Sequence, residues 1–408
     1  MRQILTRLTL VLSVMLLTKQ TFGQCSPDIL PPTITTCPPS ATFFVDAAPA
    51  GSCVHTITST EQSVLYPGAS DNCTPPPSLT YQLTYYPNGL PSVGPVLNPV
   101  LTGIQLPPGP NLFVWRIVDA AGNISAQCFY TITVVDNTPP SITCGVTGAQ
   151  NVTAAANCKY AAPAGWNATA TDNCLVNSLT YALTGATTGT GTNISGVEFN
   201  LGTTTVTWTA TDNASPANTS TCSFTVVVTD VTPPVLTCNN TTNQNLNTDA
   251  GECNYTQTGS GWNASATDNC TVISVLANLT GATTASNLAT LTGQDFSLGT
   301  TTVTWTATDG AGNTTTCSFT VTVSDIVPPV VTTCPANQTV SMNPNTCTYT
   351  HTGTTWNPVA TDNCTFTMAY ALTGATVLPS GGSTLNGQVF NPGVTTVTWT
   401  ITDIAGNT

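Results

Sequence analysis

Residues 203–212 read TTTVTWTATD, residues 300–309 repeat the same ten letters, and residues 394–403 read VTTVTWTITD. Within the first copy, Val206, Trp208 and Ala210 alternate with Thr205, Thr207, Thr209 and Thr211. Successive side chains on a strand point to opposite faces, so a strict period of two puts every apolar residue on one side. Threonine on the other side favours an extended backbone because it is β-branched, and its hydroxyl meets water. The segment that follows keeps the scheme, with Cys222, Phe224, Val226 and Val228 set against Ser223, Thr225, Val227 and Thr229. Joined by a turn at Asp212, the two strands read as an antiparallel hairpin. A chain that writes one half-buried strand repeatedly is read as all-β.

The strand belongs to a longer repeat. Each copy opens with an aspartate and a proline pair: DILPP at Asp28, DNTPP at Asp136, DVTPP at Asp230 and DIVPP at Asp325. A first cysteine follows (Cys37, Cys144, Cys238, Cys334), then a second (Cys53, Cys158, Cys253, Cys347). An Asp-Asn-Cys triplet comes next, ending at Cys73, Cys174, Cys270 and Cys364, and later the hairpin with its AGN-type turn. The hairpin tryptophans, Trp115, Trp208, Trp305 and Trp399, lie 93, 97 and 94 residues apart. Many short strands at a period of about 95 residues, without helical periodicity, predict one immunoglobulin-like β-sandwich per repeat. The expected boundaries are 24–136, 137–230, 231–325 and 326–408. Proline pairs continue neither helix nor sheet, so they read as short stiff linkers. An insertion from Tyr85 to Pro110 in the first repeat reads as an enlarged loop. The fourth repeat stops at Thr408, where a last strand and fourth cysteine are expected, so the chain reads as a fragment.

Two arginines, an apolar run from Leu8 to Leu17 and a small-residue end form a signal-peptide layout over residues 1–23, with cleavage between Gly23 and Gln24. The apolar run is too short to span a bilayer, and no other run is longer. The mature chain is therefore expected to be secreted or displayed at the cell surface, without membrane insertion. It keeps Arg116 and Lys159 as its only basic residues against 18 acidic ones, a formal charge of −16. Two cations cannot neutralise a row of phosphates, which excludes nucleic acid as a partner. Sixteen cysteines without any CxxC, in an exported chain, point to disulfides rather than thiolate metal sites. The two histidines, His55 and His351, fall in separate repeats and read as strand residues.

The combination of D-x-x-P-P, the cysteine, the W/Y…DNC segment, TTTVTWTATD, AGN and C-S-F-T-V-x-V resembles the hyalin repeat (HYR) module, four times over residues 28–408. The resemblance implies an immunoglobulin-like sandwich with a role in extracellular adhesion and no catalytic residues. The signal ending and Thr/Asn-rich composition look like secreted multi-repeat proteins of the Bacteroidetes. Family members with two cysteines resemble this chain at its first and fourth positions, which implies first-to-fourth pairing: Cys37–Cys128, Cys144–Cys222 and Cys238–Cys317. The second and third would then pair as Cys53–Cys73, Cys158–Cys174, Cys253–Cys270 and Cys347–Cys364, leaving Cys25 and Cys334 over. Four cysteines allow three pairings, so spacing alone does not decide among them.

Of fifteen aspartates, twelve sit at three repeated places. These are the linker (Asp28, Asp136, Asp230, Asp325), the DNC triplet (Asp71, Asp172, Asp268, Asp362) and the end of the TWTATD strand (Asp119, Asp212, Asp309, Asp403). One reading is turn capping, since aspartate side chains accept bonds from nearby backbone N–H groups. The other is calcium. The DNC loop and the strand-end turn share the end of the module where the linker enters. Three carboxylates would then converge at each junction: Asp136, Asp172 and Asp212, then Asp230, Asp268 and Asp309, then Asp325, Asp362 and Asp403. Functionally the chain is expected to be a non-enzymatic structural or adhesive array, a spacer or stalk whose protein or glycan ligand is not specified. The alternative is a carbohydrate-binding accessory region of a larger secreted enzyme, for which Tyr85 and Tyr86 are the candidate exposed aromatics. A hydrolase lacks a base here, and paired acids that recur in every repeat suit architecture better than one active site.

Overall fold

The computed structural model describes residues 27–46 and 52–408. The signal segment, Gly23, Gln24 and Cys25 lie outside the described residues. The chain divides into two compact units, Met1–Asn151 with Ala161–Val227, and Val152–Tyr160 with Val228–Thr408.

In the second unit the repeated decapeptide does what its alternation predicts. Gly299–Asp309 pairs antiparallel with Thr314–Ser324 on one side and Val272–Gly281 on the other, with Trp305 opposite Cys317 and Ala277. Gln244–Asn247 runs parallel along Thr314–Ser324, and Ala285–Leu288 closes the other edge, giving a five-stranded sheet. The ribbons Val235–Cys238 with Ala264–Thr267 and Asn254–Thr256 with Asp295–Ser297 supply the strands outside that sheet. Val303 and Ala307 are fully buried and Trp305 is 1% exposed, while the threonines between them are half-buried. Trp305 packs with Trp262, Leu279, Phe296 and Phe319 in one core. Its indole N–H donates to the Trp262 carbonyl at 2.9 Å, so the ring brings no unpaired polar atom inside. Each such side chain, fully buried, contributes about 1.5–3 kcal/mol.

One threonine breaks the division of faces. Thr301 shares the side of Val303 and Trp305 and is fully buried, as is Thr204 in the earlier copy. Its hydroxyl accepts from the Thr283 N–H at 3.0 Å, and that of Thr204 from the Thr187 N–H at 3.0 Å. A valine there would leave the amide unpaired.

The first unit holds a sheet of the same order: Ala41–Phe44, Cys128–Val135, Gly109–Val118, Thr80–Tyr86 and Val93–Leu97. The insertion expected to be a loop therefore contributes an edge strand. Gly202–Asp212 pairs with Val176–Gly185 in the second repeat, Trp208 opposite Tyr181. Trp115 and Trp305 sit in separate apolar cores, and Trp399 packs against a third. The fold is all-β, with several tandem immunoglobulin-like sandwich modules. In the fourth repeat Thr395–Asp403 pairs with Phe366–Gly374, and Trp399 is half-buried. His55 lies in the short strand His55–Thr56, where its ring nitrogens meet the Phe44 carbonyl at 2.9 Å and the Glu61 carboxylate at 3.2 Å. His351 instead falls just past the strand Tyr349–Thr350 and stacks on Trp356 at 4.1 Å.

Candidate functional site

Each repeat begins where a proline-rich linker meets the DNC loop and the hairpin turn, and the repeated polar residues gather there. The strand-end aspartate is absorbed by the turn that follows it. Asp309 accepts from the backbone N–H groups of Ala311 and Asn313 through Oδ1 and from the Asn313 amide through Oδ2, each at 2.8 Å. That same amide donates onward to the Asp230 carbonyl at 3.3 Å. The pattern recurs with Asn123, Asn218 and Asn407, which reach the carbonyls of Asp28, Asp136 and Asp325. The asparagine of the AGN turn thus fastens the hairpin to the linker.

These bonds move the acidity of the strand-end groups. Burial alone would raise the Asp309 carboxyl, but the Asn313 amide and the N–H groups of Asn313, Ala311 and Gly312 favour the anion and hold it below the ordinary 3.8. Asp119 is lowered in the same way against burial, through Asn123, Ala121 and Gly122. A carboxyl depressed on folding stabilises the native state fully above its unfolded pKa, and that contribution is lost as pH falls through the folded value. Urea midpoints should therefore hold steady down to about pH 4 and then fall, and Asp309→Asn should flatten part of that fall. A profile that declines by the same amount in Asp309→Asn and the native chain would refute the assignment.

The linker and DNC aspartates of the second, third and fourth repeats are arranged differently: each uses one oxygen locally and buries the other. Asp230 Oδ1 accepts from the Thr232 N–H at 3.0 Å, and Asp268 Oδ2 from the Cys270 N–H at 2.8 Å. Asp230 Oδ2 and Asp268 Oδ1 are buried without a partner. Asp136 and Asp172 repeat this, as do Asp325 and Asp362. The structure brings together Asp28 with Asp71, Asp136 with Asp172, Asp230 with Asp268, and Asp325 with Asp362 and Asp403, ligand atoms within 4.8 Å. Asp212 and Asp309 stay outside these groups, both of their oxygens serving the turn, whereas Asp403 makes the same turn bonds and still lies within its group. The DNC asparagines, not singled out from sequence, complete the arrangement. Asn269 donates to Asp230 Oδ1 at 3.3 Å and the Ala155 carbonyl at 3.3 Å, and Asn363 to Asp325 Oδ1 at 3.2 Å and the Glu252 carbonyl at 3.2 Å. Their recurrence in every triplet was the available signal.

The cysteine after each asparagine carries the largest correction. The structure joins Cys37 to Cys128, Cys144 to Cys222 and Cys238 to Cys317. The second cysteine, however, does not close on the third of its own repeat. Cys53 bonds Cys174, Cys158 bonds Cys270 and Cys253 bonds Cys364, at sequence separations of 121, 112 and 111. Cys73 is disulfide-bonded to a residue other than Cys53, and Cys347 and Cys334 are free and exposed. The implied pairs Cys53–Cys73, Cys158–Cys174, Cys253–Cys270 and Cys347–Cys364 are thus replaced. The reason is spatial. The loop bearing each second cysteine meets the DNC loop of the following repeat, as the Asn269 bond to Ala155 and the Asn363 bond to Glu252 show. Of the two candidate aromatics, Tyr85 is buried and stacks on Phe113 at 5.3 Å, and Tyr86 is 46% exposed.

Fold and junctions together define a tandem sandwich protein whose consecutive repeats are cross-linked by disulfides. Residues 229–323 match the HYR domain family. Hyalin of Strongylocentrotus purpuratus is 31% identical over 245 residues, covering 58% of this chain and 18% of that protein. The chain thus spans less than a fifth of that relative. Neither match supports a bacterial source. Among solved structures, protocadherin gammaB7 EC3-6 is similar at 15% identity and a TM-score of 0.31, over 92% of this chain and all of that one. Drosophila N-cadherin EC1-4 is similar at 13% identity and a TM-score of 0.25, over 72% of this chain and 75% of that one. Resemblances this loose carry no function. Among the described residues no helix is long and apolar enough to cross a membrane.

Proposed function

We propose that the chain is a non-catalytic extracellular array of HYR-type repeats that serves as an adhesive spacer under tension. The HYR-domain match and the likeness to Hyalin support the adhesive setting, and so does a disulfide content suited to an oxidising compartment. The observation that carries the spacer reading is the overlap of the three inter-repeat disulfides. Cys158 precedes Cys174 and Cys253 precedes Cys270, so the closed loops interlock along the chain. A covalent path from Cys53 to Cys364 crosses three disulfides and only the peptide segments 158–174 and 253–270. An enzyme gains nothing from such a path; a tether does.

Non-reducing peptide mapping tests it directly. Digests of the native chain should contain cross-linked pairs joining Cys53 to Cys174, Cys158 to Cys270 and Cys253 to Cys364. Recovery of Cys158 joined to Cys174, or of Cys253 joined to Cys270, would break the path and end the spacer reading.

A further inference from the structure

We propose that the linker aspartate, the DNC aspartate and the DNC asparagine at each of three junctions form a calcium site. The sites are Asp136, Asp172 and Asn173; Asp230, Asp268 and Asn269; and Asp325, Asp362 and Asn363, with Asp403 adding a carboxylate to the last.

The acidic groups alone would not make a site, because aspartates cap turns. What distinguishes these is the fate of their second oxygens. At every one of the three junctions one oxygen of each aspartate and the Oδ1 of the asparagine are buried without a hydrogen-bond partner. Asp136, Asp230 and Asp325 are 7, 7 and 5% exposed, and Asn173 is 7% exposed. Leaving a buried polar atom unpaired costs about 1–3 kcal/mol, more for a charged one, and the same three atom types are left unpaired three times over. The asparagine orientation is itself determined. Its amide nitrogen donates to the linker carboxylate, from Asn173 to Asp136 at 3.5 Å and from Asn363 to Asp325 at 3.2 Å, which turns its carbonyl oxygen away from that bond.

Two carboxylates this close repel unless a cation sits between them. The chemistry of the donors names the cation. All are hard oxygens, and the neighbouring sulfurs of Cys174, Cys270 and Cys364 belong to disulfides, so no thiolate is offered. Calcium–oxygen distances of about 2.3–2.6 Å let two ligands of one ion stand up to roughly 5 Å apart. The grouped atoms lie within 4.8 Å. Magnesium demands a near-ideal octahedron at about 2.1 Å, which an Asx-turn oxygen, a linker oxygen and an amide do not impose. With two or three carboxylates and water completing the shell, affinity is expected in the extracellular range, on the order of 10⁻⁴ to 10⁻³ M. The ion and the inter-repeat disulfide would restrain the same loop, since the cysteine is the next residue after the asparagine.

Calorimetry with calcium chloride on the full, oxidised, chelator-stripped chain tests this. The native chain should take up at least three ions at millimolar calcium, and its melting temperature should fall when EDTA is added. A triple variant, Asp172→Asn with Asp268→Asn and Asp362→Asn, should lose three ions of uptake. Asp295→Asn, outside the groups, should lose none. Absent uptake by the native chain, or a triple variant that binds as many ions as native, would overturn the proposal. Should the triple variant fail to fold, the native melting curve decides: no change with EDTA overturns it. A chain that maps with the expected disulfides yet binds no calcium keeps the spacer reading and loses this one.

Discussion

Pulled from its two ends with its disulfides intact, the chain should resist extension between Cys53 and Cys364 almost completely, and a reducing agent should release roughly 900–1,000 Å of additional length. The figure follows from covalent connectivity. Reduced and unfolded, those 311 residues extend at about 3.3–3.6 Å each. Oxidised, the shortest covalent route leaves only segments 158–174 and 253–270 free to stretch, on the order of 110 Å together. Disulfides confined to single repeats would not do this, because the chain between them would still unravel. Single-molecule force spectroscopy of the same molecule before and after reduction measures the difference. An oxidised chain that lengthens as far as the reduced one would contradict the interlocked connectivity.

Replacing Trp305 with alanine should remove about 3–5 kcal/mol from the third repeat, the usual cost of excising a buried aromatic side chain. Trp305 is 1% exposed and touches both faces of its core, including Trp262, whose carbonyl loses its donor as well. For a domain of this size that loss lowers the melting transition by roughly 12–40 °C. Thr306→Ala, one residue along on the opposite face, should change stability by less than about 1 kcal/mol. Differential scanning calorimetry under oxidising conditions compares the two. A Trp305→Ala transition within a few degrees of native would mean that the alternating strand does not build a private core.

That contrast between neighbouring residues marks how much was legible in advance. The alternation of Val303, Trp305 and Ala307 with threonine foretold a strand, its buried face and its hairpin partner, because side-chain direction in a strand depends only on position parity. Parity alone puts Thr301 on the face of Val303 and Trp305, but the partner that lets a threonine be buried there was not foretold. The Thr301 hydroxyl is needed only because the Thr283 N–H arrives beside it. The aspartates were legible as a group, but their division of labour was not. Asp309 and Asp268 occur in similar turn sequences, yet one spends both oxygens on its own turn and the other leaves one buried and unpaired.

By itself, the order of residues determined the all-β class, the repeated strand, the face each side chain takes and the recurrence of polar residues at one end of each repeat. These depend on local periodicity, which the chain carries along its length. Only the tertiary structure decided that Cys53, Cys158 and Cys253 reach forward to the following repeat, and that Asn173, Asn269 and Asn363 each donate their amide to a linker aspartate. Both depend on which loops meet where one repeat succeeds another. Distance in space is set there by packing, and spacing along the chain carries no record of it.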